Sequence, residues 1–253
     1  MYFGLILLKI YFVVMNDKSK IEGYSFLNDY RYERKFQISE VSVQGVETVV
    51  KNHPAYFKEI FHERFINNIY FDTQNLTHYY DNSFGKSQRT KYRIRWYGSI
   101  ENEVINPILE VKIKNALVGT KESFKLQNFN IGDGNLLQSV FISLLNSELP
   151  ERILEQMKTL VPSLGNRYKR KYFMEFSKKY RITIDSEIEY FNVSNNKIFF
   201  KENFLEDNSI VLELKYNQED NKLASSISSE LPFRMTKNSK YVNGIECFNQ
   251  VSI

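Results

Sequence analysis

A short segment of the chain, Lys91–Tyr97, alternates basic and apolar side chains. Successive side chains of a β-strand point to opposite faces of the sheet, so the segment predicts a strand with a cationic face formed by Lys91, Arg93 and Arg95. Ionic and apolar residues alternate again in three distant segments: Ile108–Lys114, Tyr180–Asp185 and Val211–Tyr216. The recurrence predicts a sheet whose strands all place ionic residues on one face.

Two arrangements satisfy this alternation. The ionic face can lie in solvent on an open sheet, or it can line a closed barrel around a charged ligand. In the open arrangement Arg93 and Arg95 are solvated strand positions, and Glu213 with Lys215 is an ordinary surface ion pair. The alternation alone does not distinguish the two arrangements.

Composition narrows the class of protein. A chain of 253 residues with 42% hydrophobic content can bury a large core and is expected to form one domain. The 34 Lys and Arg residues barely exceed the 30 Asp and Glu residues, so no nucleic-acid partner is expected. The single cysteine, Cys247, excludes an internal disulfide and a cysteine-based zinc site, which fits a cytoplasmic protein.

The amino-terminal residues 1–29 are predicted to be an extension that does not belong to the fold. The apolar run from Leu5 to Val14 is interrupted by Lys9 and is shorter than the roughly 20 residues that span a bilayer. The residues after it lack the features of a signal-peptide cleavage site. The folded domain is therefore expected over residues 30–253, without a membrane span.

The remaining periodicity predicts a mainly β domain of the α+β type. Strands are expected at 32–38, 68–72, 91–97, 108–114, 121–125, 167–176, 181–185, 197–200 and 210–216. Helices are expected at 41–51, 55–65, 136–149, 151–160 and, as the last one, 221–229, with a short helix or a turn at 77–81. The breaker His53-Pro54 separates the first two of these helices.

Six motifs, in order along the chain, match those of a known family. They are Ile69–Asp72, Tyr92–Gly98, Glu110 with Lys112, Arg181–Asp185, Val211–Lys215 and Ser239–Tyr241. From about Tyr32 to Ile245 the chain resembles the VTC domain, the polyphosphate polymerase domain of the vacuolar transporter chaperone complex. That family has bacterial single-domain relatives and belongs to the triphosphate tunnel metalloenzymes, alongside the CYTH proteins.

The resemblance implies the closed arrangement. The expected fold is an eight-stranded antiparallel barrel with a basic tunnel as its lumen and helices packed outside. A polyphosphate chain carries many negative charges in a line, and arginine and lysine supply forked and compact cations for its oxygens. Without an anion these cations would repel one another, so we expect the empty tunnel to be less stable than the filled one.

The resemblance also implies roles for individual residues. The phosphate-binding residues are expected to be Lys35, Arg93, Arg95, Lys112, Arg170, Arg181, Lys215, Ser239 and Lys240, together with Lys121 or Lys125. Arg93, Arg95, Lys112 and Lys240 are the expected catalytic residues. Glu213 is expected to hold Mn²⁺ or Mg²⁺. Glu33 and Glu110 are expected either to assist the metal or to form ion pairs with the tunnel lysines.

Three functions from different classes follow from these expectations. The first is polyphosphate polymerase, which moves the terminal phosphoryl group of ATP to a growing chain. The second is metal-dependent hydrolysis of tripolyphosphate or of a nucleoside triphosphate, and the third is polyphosphate binding without catalysis. The expected partners are ATP and polyphosphate, or another triphosphate. Coupled export would need separate membrane proteins, and the oligomeric state stays open.

Overall fold

The computed structural model describes residues 31–249 apart from positions 102, 117, 133, 134 and 207. The predicted extension, residues 1–29, lies outside the described residues, and the proposed domain limits stay a prediction. The strands are β1 Arg31–Ile38, β2 Lys58–Asp72, β3 Gln88–Tyr97, β4 Glu103–Val104, β5 Ile108–Asn115, β6 Val118–Lys125, β7 Phe129–Asn130, β8 Val161–Met174, β9 Tyr180–Ser194, β10 Lys197–Glu206 and β11 Ile210–Asn217. The helices are α1 Val43–Lys51, α2 Thr77–Ser83, α3 Leu136–Leu145, α4 Glu151–Lys158, α5 Asn221–Ser229 and α6 Lys240–Asn249.

Eight antiparallel strands form a closed ring. Their order is β9-β11-β1-β6-β5-β3-β2-β8, and the ring closes because β8 pairs with β9. The junction between β1 and β6 rests on the pairing of Arg31 with Gly119. Strand β10 extends the sheet from β9, and β4 pairs with β7 in a separate sheet. The predicted eight-stranded barrel is therefore confirmed, and the open sheet is excluded.

The apolar faces of the ring strands are buried under helices. Trp96 of β3 belongs to a buried cluster with Val140 of α3 and Ile153 of α4, and its indole Nε1 donates a hydrogen bond to Ser99 O at 2.8 Å. On another side, Val46 of α1 packs in a cluster with Leu212 of β11. Burying such side chains is worth about 1.5–3 kcal/mol each. The outward placement of the apolar face leaves the ionic face for the lumen.

Helix α6 packs on the inner face of the ring rather than on its outside. Its Tyr241 ring stacks on Tyr70 with 5.0 Å between centroids, and its hydroxyl donates to Asp72 Oδ2 at 2.5 Å. Tyr70 faces the same side as Arg93, because the two residues are cross-strand partners. The helix therefore covers the end of the ring at which β2 finishes, and we call this the covered end.

Two of the predicted helical assignments are wrong. Most of the predicted helix 55–65 belongs instead to β2, which begins at Lys58 and runs to Asp72, and residues 55–57 precede that strand without being helical. Ile60, Phe61 and Phe65 have helix-like spacing, but the long pairing of this segment with β8 outweighs that local preference. The helix at 221–229 is not the last, because α6 follows at Lys240–Asn249. No helix among the described residues has both the length and the apolar character needed to cross a membrane.

Gly244 allows α6 to approach the ring. A Cβ atom at this position would lie 2.5 Å from Leu164 Cδ2 and 2.6 Å from Tyr190 Cδ1, and both side chains are fully buried. We predict that Gly244→Ala lowers the Tm by several degrees. Two buried contacts below 3 Å place the overpacking cost in the upper part of its usual range of about 1–3 kcal/mol, above the roughly 1 kcal/mol that alanine gains in a helix. Thermal unfolding followed by circular dichroism measures the shift.

The matched control is Gly119→Ala in β6. The nearest atom to a Cβ at that position is Ile113 O, at an ordinary contact distance of 3.8 Å. We expect its Tm to stay close to that of the wild type. Equal Tm values for the two variants would contradict the close approach of α6.

Candidate functional site

Strand register collects the ionic side chains inside the ring. Arg93 of β3 lies opposite Glu110 of β5, and Lys35 of β1 lies opposite Glu213 of β11. Cross-strand partners share a face of the sheet, so each pair points into the lumen. The inner surface therefore consists of basic side chains with a few carboxylates among them.

Glu110 is the anion of the first cluster in the lumen. Arg93 donates to its Oε2 from Nε at 2.6 Å, and the Nη2 atom of the same arginine lies 2.5 Å from that oxygen. Its Oε1 accepts from Lys121 Nζ at 2.9 Å and, more weakly, from Arg95 Nη1 at 3.5 Å. Burial raises the pKa of Glu110, but the charges of Arg93 and Arg95 outweigh it and hold that pKa well below the usual range. The carboxylate therefore stays ionised and holds three cations together.

Asp185 is the anion of the second cluster. It is completely buried and accepts from Arg170 at 2.5 and 2.6 Å and from Lys240 Nζ at 2.5 Å. The guanidinium of Arg170 lies 5.2 Å from the Tyr168 ring centroid, and Lys240 Nζ lies 4.6 Å from it. Helix α6 thus delivers Lys240 from the covered end into the centre of the lumen.

Two carboxylates and two lysines form the third cluster. Lys215 Nζ lies 2.7 Å from Glu213 Oε2 and 3.9 Å from Glu33 Oε1. Lys35 Nζ lies 3.3 Å from Glu213 Oε1 and 3.8 Å from Glu33 Oε2. Burial raises the pKa of Glu33, but Lys215 and Lys112 outweigh it and lower that pKa to about 2. Both carboxylates are therefore ionised and share the same two lysines.

This carboxylate pair suits a hard divalent cation. Mg²⁺ and Mn²⁺ prefer oxygen ligands and commonly take one or two carboxylates, with water and phosphate oxygens in the other positions. Glu213 and Glu33 supply two carboxylates that share Lys35 and Lys215, whereas Glu110 is a single carboxylate engaged by arginine and lysine side chains. Across the residues that the structure describes, no three His, Cys, Asp or Glu side chains gather into a metal-binding group. A metal held here would need substrate oxygens to complete its shell.

A row of lysines crosses three strands near the covered end. Lys91, Lys112 and Lys121 are consecutive cross-strand partners on β3, β5 and β6. Lys91 Nζ donates to Ser239 Oγ at 2.7 Å, and this hydroxyl also accepts from the backbone N–H of Val242 at the start of α6. Like charges placed opposite one another are unfavourable. An anion entering the lumen would relieve this repulsion.

The surplus charge shows in the lysine pKa values. Burial, followed by the charges of Lys35, Arg89 and Arg93, lowers the pKa of Lys91 to about 7. The charge of Arg93, followed by burial, lowers the pKa of Lys112 well below its ordinary value. In the empty tunnel these amines lose protons more readily than an exposed lysine does.

The remaining predicted site residues lie at the edge of this network. Arg181 is the cross-strand partner of Lys215, and its pKa is lowered by burial and by the nearby charges of Arg31 and Arg170. Lys125 ends β6 and is exposed, whereas Lys121 contacts Glu110. Of these two lysines, Lys121 is the one in the charge network.

Several residues of the network were given no role by the sequence. Lys91 shares the strand face of Arg93 and Arg95, and its parity was a usable signal. Asp185 likewise shares a face with Arg181. Tyr168, which accepts from Arg95 Nη2 at 3.2 Å, shares the strand face of Arg170, but a tyrosine on a strand is more often a packing residue.

Comparison with known proteins identifies the family of this chain. The family model described as VTC domain matches residues 30–249. The chain belongs to the VTC domain family. The resemblance expected from the six sequence motifs is confirmed. A search of curated proteins found no match to the chain.

Solved structures with a similar outline come from distant proteins. The PH1819 protein from Pyrococcus horikoshii OT3 is 14% identical, covers 86% of this chain and 99% of its own, and has a TM-score of 0.48. A putative adenylate cyclase from Vibrio parahaemolyticus is 12% identical. The match covers 82% of this chain and 94% of the cyclase chain, with a TM-score of 0.44. The Pct1 RNA triphosphatase of S. pombe is 8% identical. The match covers 100% of this chain and 91% of the triphosphatase chain, with a TM-score of 0.30.

Membership in the VTC domain family makes this a domain that acts on polyphosphate or triphosphate. The lumen suits such substrates, because its guanidinium and ammonium groups surround one space and the bound carboxylates do not neutralise all of them. Charge-assisted hydrogen bonds from arginine to phosphate oxygens are among the strongest in proteins. Phosphoryl transfer or triphosphate hydrolysis is the chemistry that this VTC domain can support.

The low pKa of Lys91 generates a pH prediction. A bound polyanion should raise that pKa, so above about pH 7 binding takes up a proton at Lys91, and below about pH 7 the lysine is already protonated in both states. The number of protons taken up on binding is measured near pH 8 by titration calorimetry with tripolyphosphate in buffers of different ionisation enthalpy. The wild type should take up as much as about one proton more than Lys91→Met.

Tripolyphosphate itself titrates in this range, so the difference between the two proteins is the measured quantity. Lys158→Met, on the exposed face of α4, is the matched control and should behave as the wild type. Equal proton uptake by wild type and Lys91→Met would exclude Lys91 as the titrating group.

Proposed function

We propose that this VTC domain is a polyphosphate polymerase. The terminal phosphoryl group of ATP would pass to the terminal phosphate oxygen of a polyphosphate chain, while the bond from its phosphorus to the bridging oxygen of ADP breaks. The supporting observation is the convergence of Arg93, Arg95, Arg170 and Lys240 on one enclosed lumen. No water is consumed in this transfer, and ADP is the leaving group.

Positioning and charge neutralisation would supply most of the catalysis. Phosphoryl transfer passes through a loose transition state whose charge spreads over the phosphoryl oxygens. Fixed cations in a site that excludes bulk water stabilise that charge without reorganising. Arg93, Lys240 and Arg170 are held in place by Glu110 and Asp185, so their donors are oriented before the substrate arrives.

The ionised state of the lumen carboxylates favours phosphoryl transfer to a phosphate over hydrolysis by water. Water needs a base to take its proton, and an effective base has a pKa near the working pH. Burial raises the pKa values of Glu110 and Asp185, but Arg93 and Arg170 outweigh it and keep both low, which makes them weak bases. The end of a polyphosphate chain is already an anionic oxygen and needs no base. The acceptor that matches this lumen is therefore a phosphate.

One observation favours triphosphate hydrolysis as the second candidate. Lys91 has a pKa lowered to about 7 by burial and by neighbouring cations, which is suited to a general base. Its amine lies beside Ser239 at the covered end, so it would act on a water molecule only at that position. Free phosphate as the product would identify this activity.

A divalent cation would be held by Glu213 and Glu33 in the proposed enzyme. When bound, it would offset charge on the phosphate oxygens that complete its shell. Lys35 and Lys215 contact both carboxylates, so they would have to turn toward the substrate as the cation enters. Glu213 is the more buried of the two carboxylates, with 8% of its side chain exposed against 35% for Glu33.

The paired arginines provide a test of phosphate binding. We predict that replacing both Arg93 and Arg95 by alanine lowers tripolyphosphate affinity by orders of magnitude, because each removes charge-assisted hydrogen bonds worth roughly 1.5–3 kcal/mol. Since salt screens such attraction, affinity should fall with ionic strength less steeply in the double variant than in the wild type. Titration calorimetry at two salt concentrations measures both quantities.

The control for this experiment is Arg152→Ala on α4. Arg152 pairs with Glu122 outside the ring, so its removal should leave affinity and salt dependence unchanged. Circular dichroism should show that the double variant is folded. Unaltered affinity in a folded double variant would remove these arginines from the site.

Product analysis tests the function itself. Purified protein incubated with ATP and Mn²⁺ should yield ADP and long-chain polyphosphate, separated on a gel from free phosphate. We predict that Glu213→Gln abolishes turnover but leaves tripolyphosphate binding largely intact, because it removes a metal ligand and no cation. Glu219→Gln, on an exposed helical turn, should retain full turnover.

The products distinguish the three functions. Polyphosphate supports the polymerase, free phosphate without polyphosphate supports the hydrolase, and binding without ADP formation supports the non-catalytic module. Full turnover of Glu213→Gln at limiting Mn²⁺ would place the metal elsewhere.

A further inference from the structure

The end of the ring opposite α6 carries a cluster of aromatic rings around an arginine. The guanidinium carbon of Arg64 lies 4.5 Å from the ring centroid of Tyr97, 5.1 Å from that of Tyr172 and 5.3 Å from that of Phe61. Phe61 and Tyr172 meet edge to face at 5.7 Å. We call these four residues the aromatic rim.

The aromatic rim faces the lumen side of the ring. Arg64 is the cross-strand partner of Arg170, and Phe61 is that of Tyr172. Tyr97 follows Arg93 and Arg95 at every second position of β3, so it shares their face. The rim is thus continuous with the phosphate-binding candidates rather than part of the outer core.

The rim is also open to solvent. Phe61 is 53% exposed and Tyr97 is 41% exposed. The half of β2 that carries Phe61 and Arg64 is exposed, whereas the half that reaches α6 is buried. A contiguous exposed apolar patch bordered by polar residues can mark a ligand-binding groove.

We propose that the aromatic rim is a stacking subsite for the nucleobase of a nucleoside triphosphate. The inference rests on the proposed function, because it requires the triphosphate to occupy the lumen. Bases stack on aromatic rings and on arginine guanidinium planes regardless of sequence. The rim offers both surfaces, and it supplies no carboxylate that would repel the phosphates.

Spacing along β3 supports this occupant. Side chains on one face of a strand repeat about every 6.7 Å, so Tyr97 lies roughly 13 Å from Arg93 along the strand. A nucleotide whose terminal phosphate reaches Arg93 has its remaining phosphates beside Arg95 and its ribose and base beyond them. The base therefore emerges at Tyr97. Inorganic tripolyphosphate would fill the same lumen without reaching the rim.

The experiment compares ATP with inorganic tripolyphosphate. Titration calorimetry without metal measures both affinities for wild type, Phe61→Ala, Tyr97→Ala and the double variant. We expect the double variant to bind ATP on the order of tenfold or more weakly, since stacking on a ring is worth about 1–3 kcal/mol per base. Its affinity for tripolyphosphate should be unchanged, and this also shows that the variant is folded.

Phe84→Ala is the matched control. Phe84 is 82% exposed and packs on Tyr80, away from the rim, so ATP should bind this variant as it binds wild type. Two results would overturn the subsite while leaving phosphate binding in the lumen intact. The double variant could bind ATP nearly as tightly as the wild type does, or its affinities for ATP and for tripolyphosphate could fall by the same factor. If wild type binds neither ligand, the proposed function fails and the subsite fails with it.

Discussion

The packing of many cations around a few buried carboxylates is the constraint on which the rest of this structure depends. Glu110, Asp185 and Glu213 each contact more than one basic side chain. An uncompensated charge in a protein interior costs several kcal/mol, and removing one partner of a buried pair is strongly destabilising. The three carboxylates therefore allow the ring to close with arginine and lysine side chains inside it.

The compensation is incomplete, and the surplus of positive charge is what suits the lumen to the proposed binding of phosphate. Within the lysine row, burial and then nearby cations such as Lys35 and Arg93 lower the pKa of Lys91, and the charge of Arg93 followed by burial lowers the pKa of Lys112. A site that binds an anion this way is less stable when empty than when filled. The strain in the empty ring and the affinity for phosphate thus have the same physical origin.

Helix α6 gives the lumen two different ends. Tyr241 is anchored to Asp72 and Tyr70, and Gly244 lets the helix lie close to the strands. The same helix begins at Lys240, whose amine reaches Asp185. Lys240 of the helix joins the lysine row of the strands near the covered end, while the opposite end carries exposed aromatic rings. This asymmetry would orient an elongated substrate that is charged along one part and aromatic at one end.

The sequence alone determined the strand faces, because a period of two assigns every side chain of a strand to one side or the other. Alternation in Lys91–Tyr97 and in the distant segments correctly grouped Arg93, Glu110 and Glu213 on ionic faces, and the motif order identified the family. Sequence periodicity misassigned residues 55–65. The apolar spacing there fits a helix, and only the pairing of this segment with β8 makes most of it a strand. Local patterns contain no information on such distant partners.

Only the tertiary structure decided what those ionic faces meet. Closure of the ring turned a face that would suit solvent into the lining of a lumen, and this closure rests on the pairing of β8 with β9, in which Arg170 lies opposite Asp185. It also decided that Lys121 rather than Lys125 contacts Glu110, and that Asp185 holds both Arg170 and Lys240. Such contacts depend on strand register and on the docking of α6, which are set by packing between residues distant in the chain.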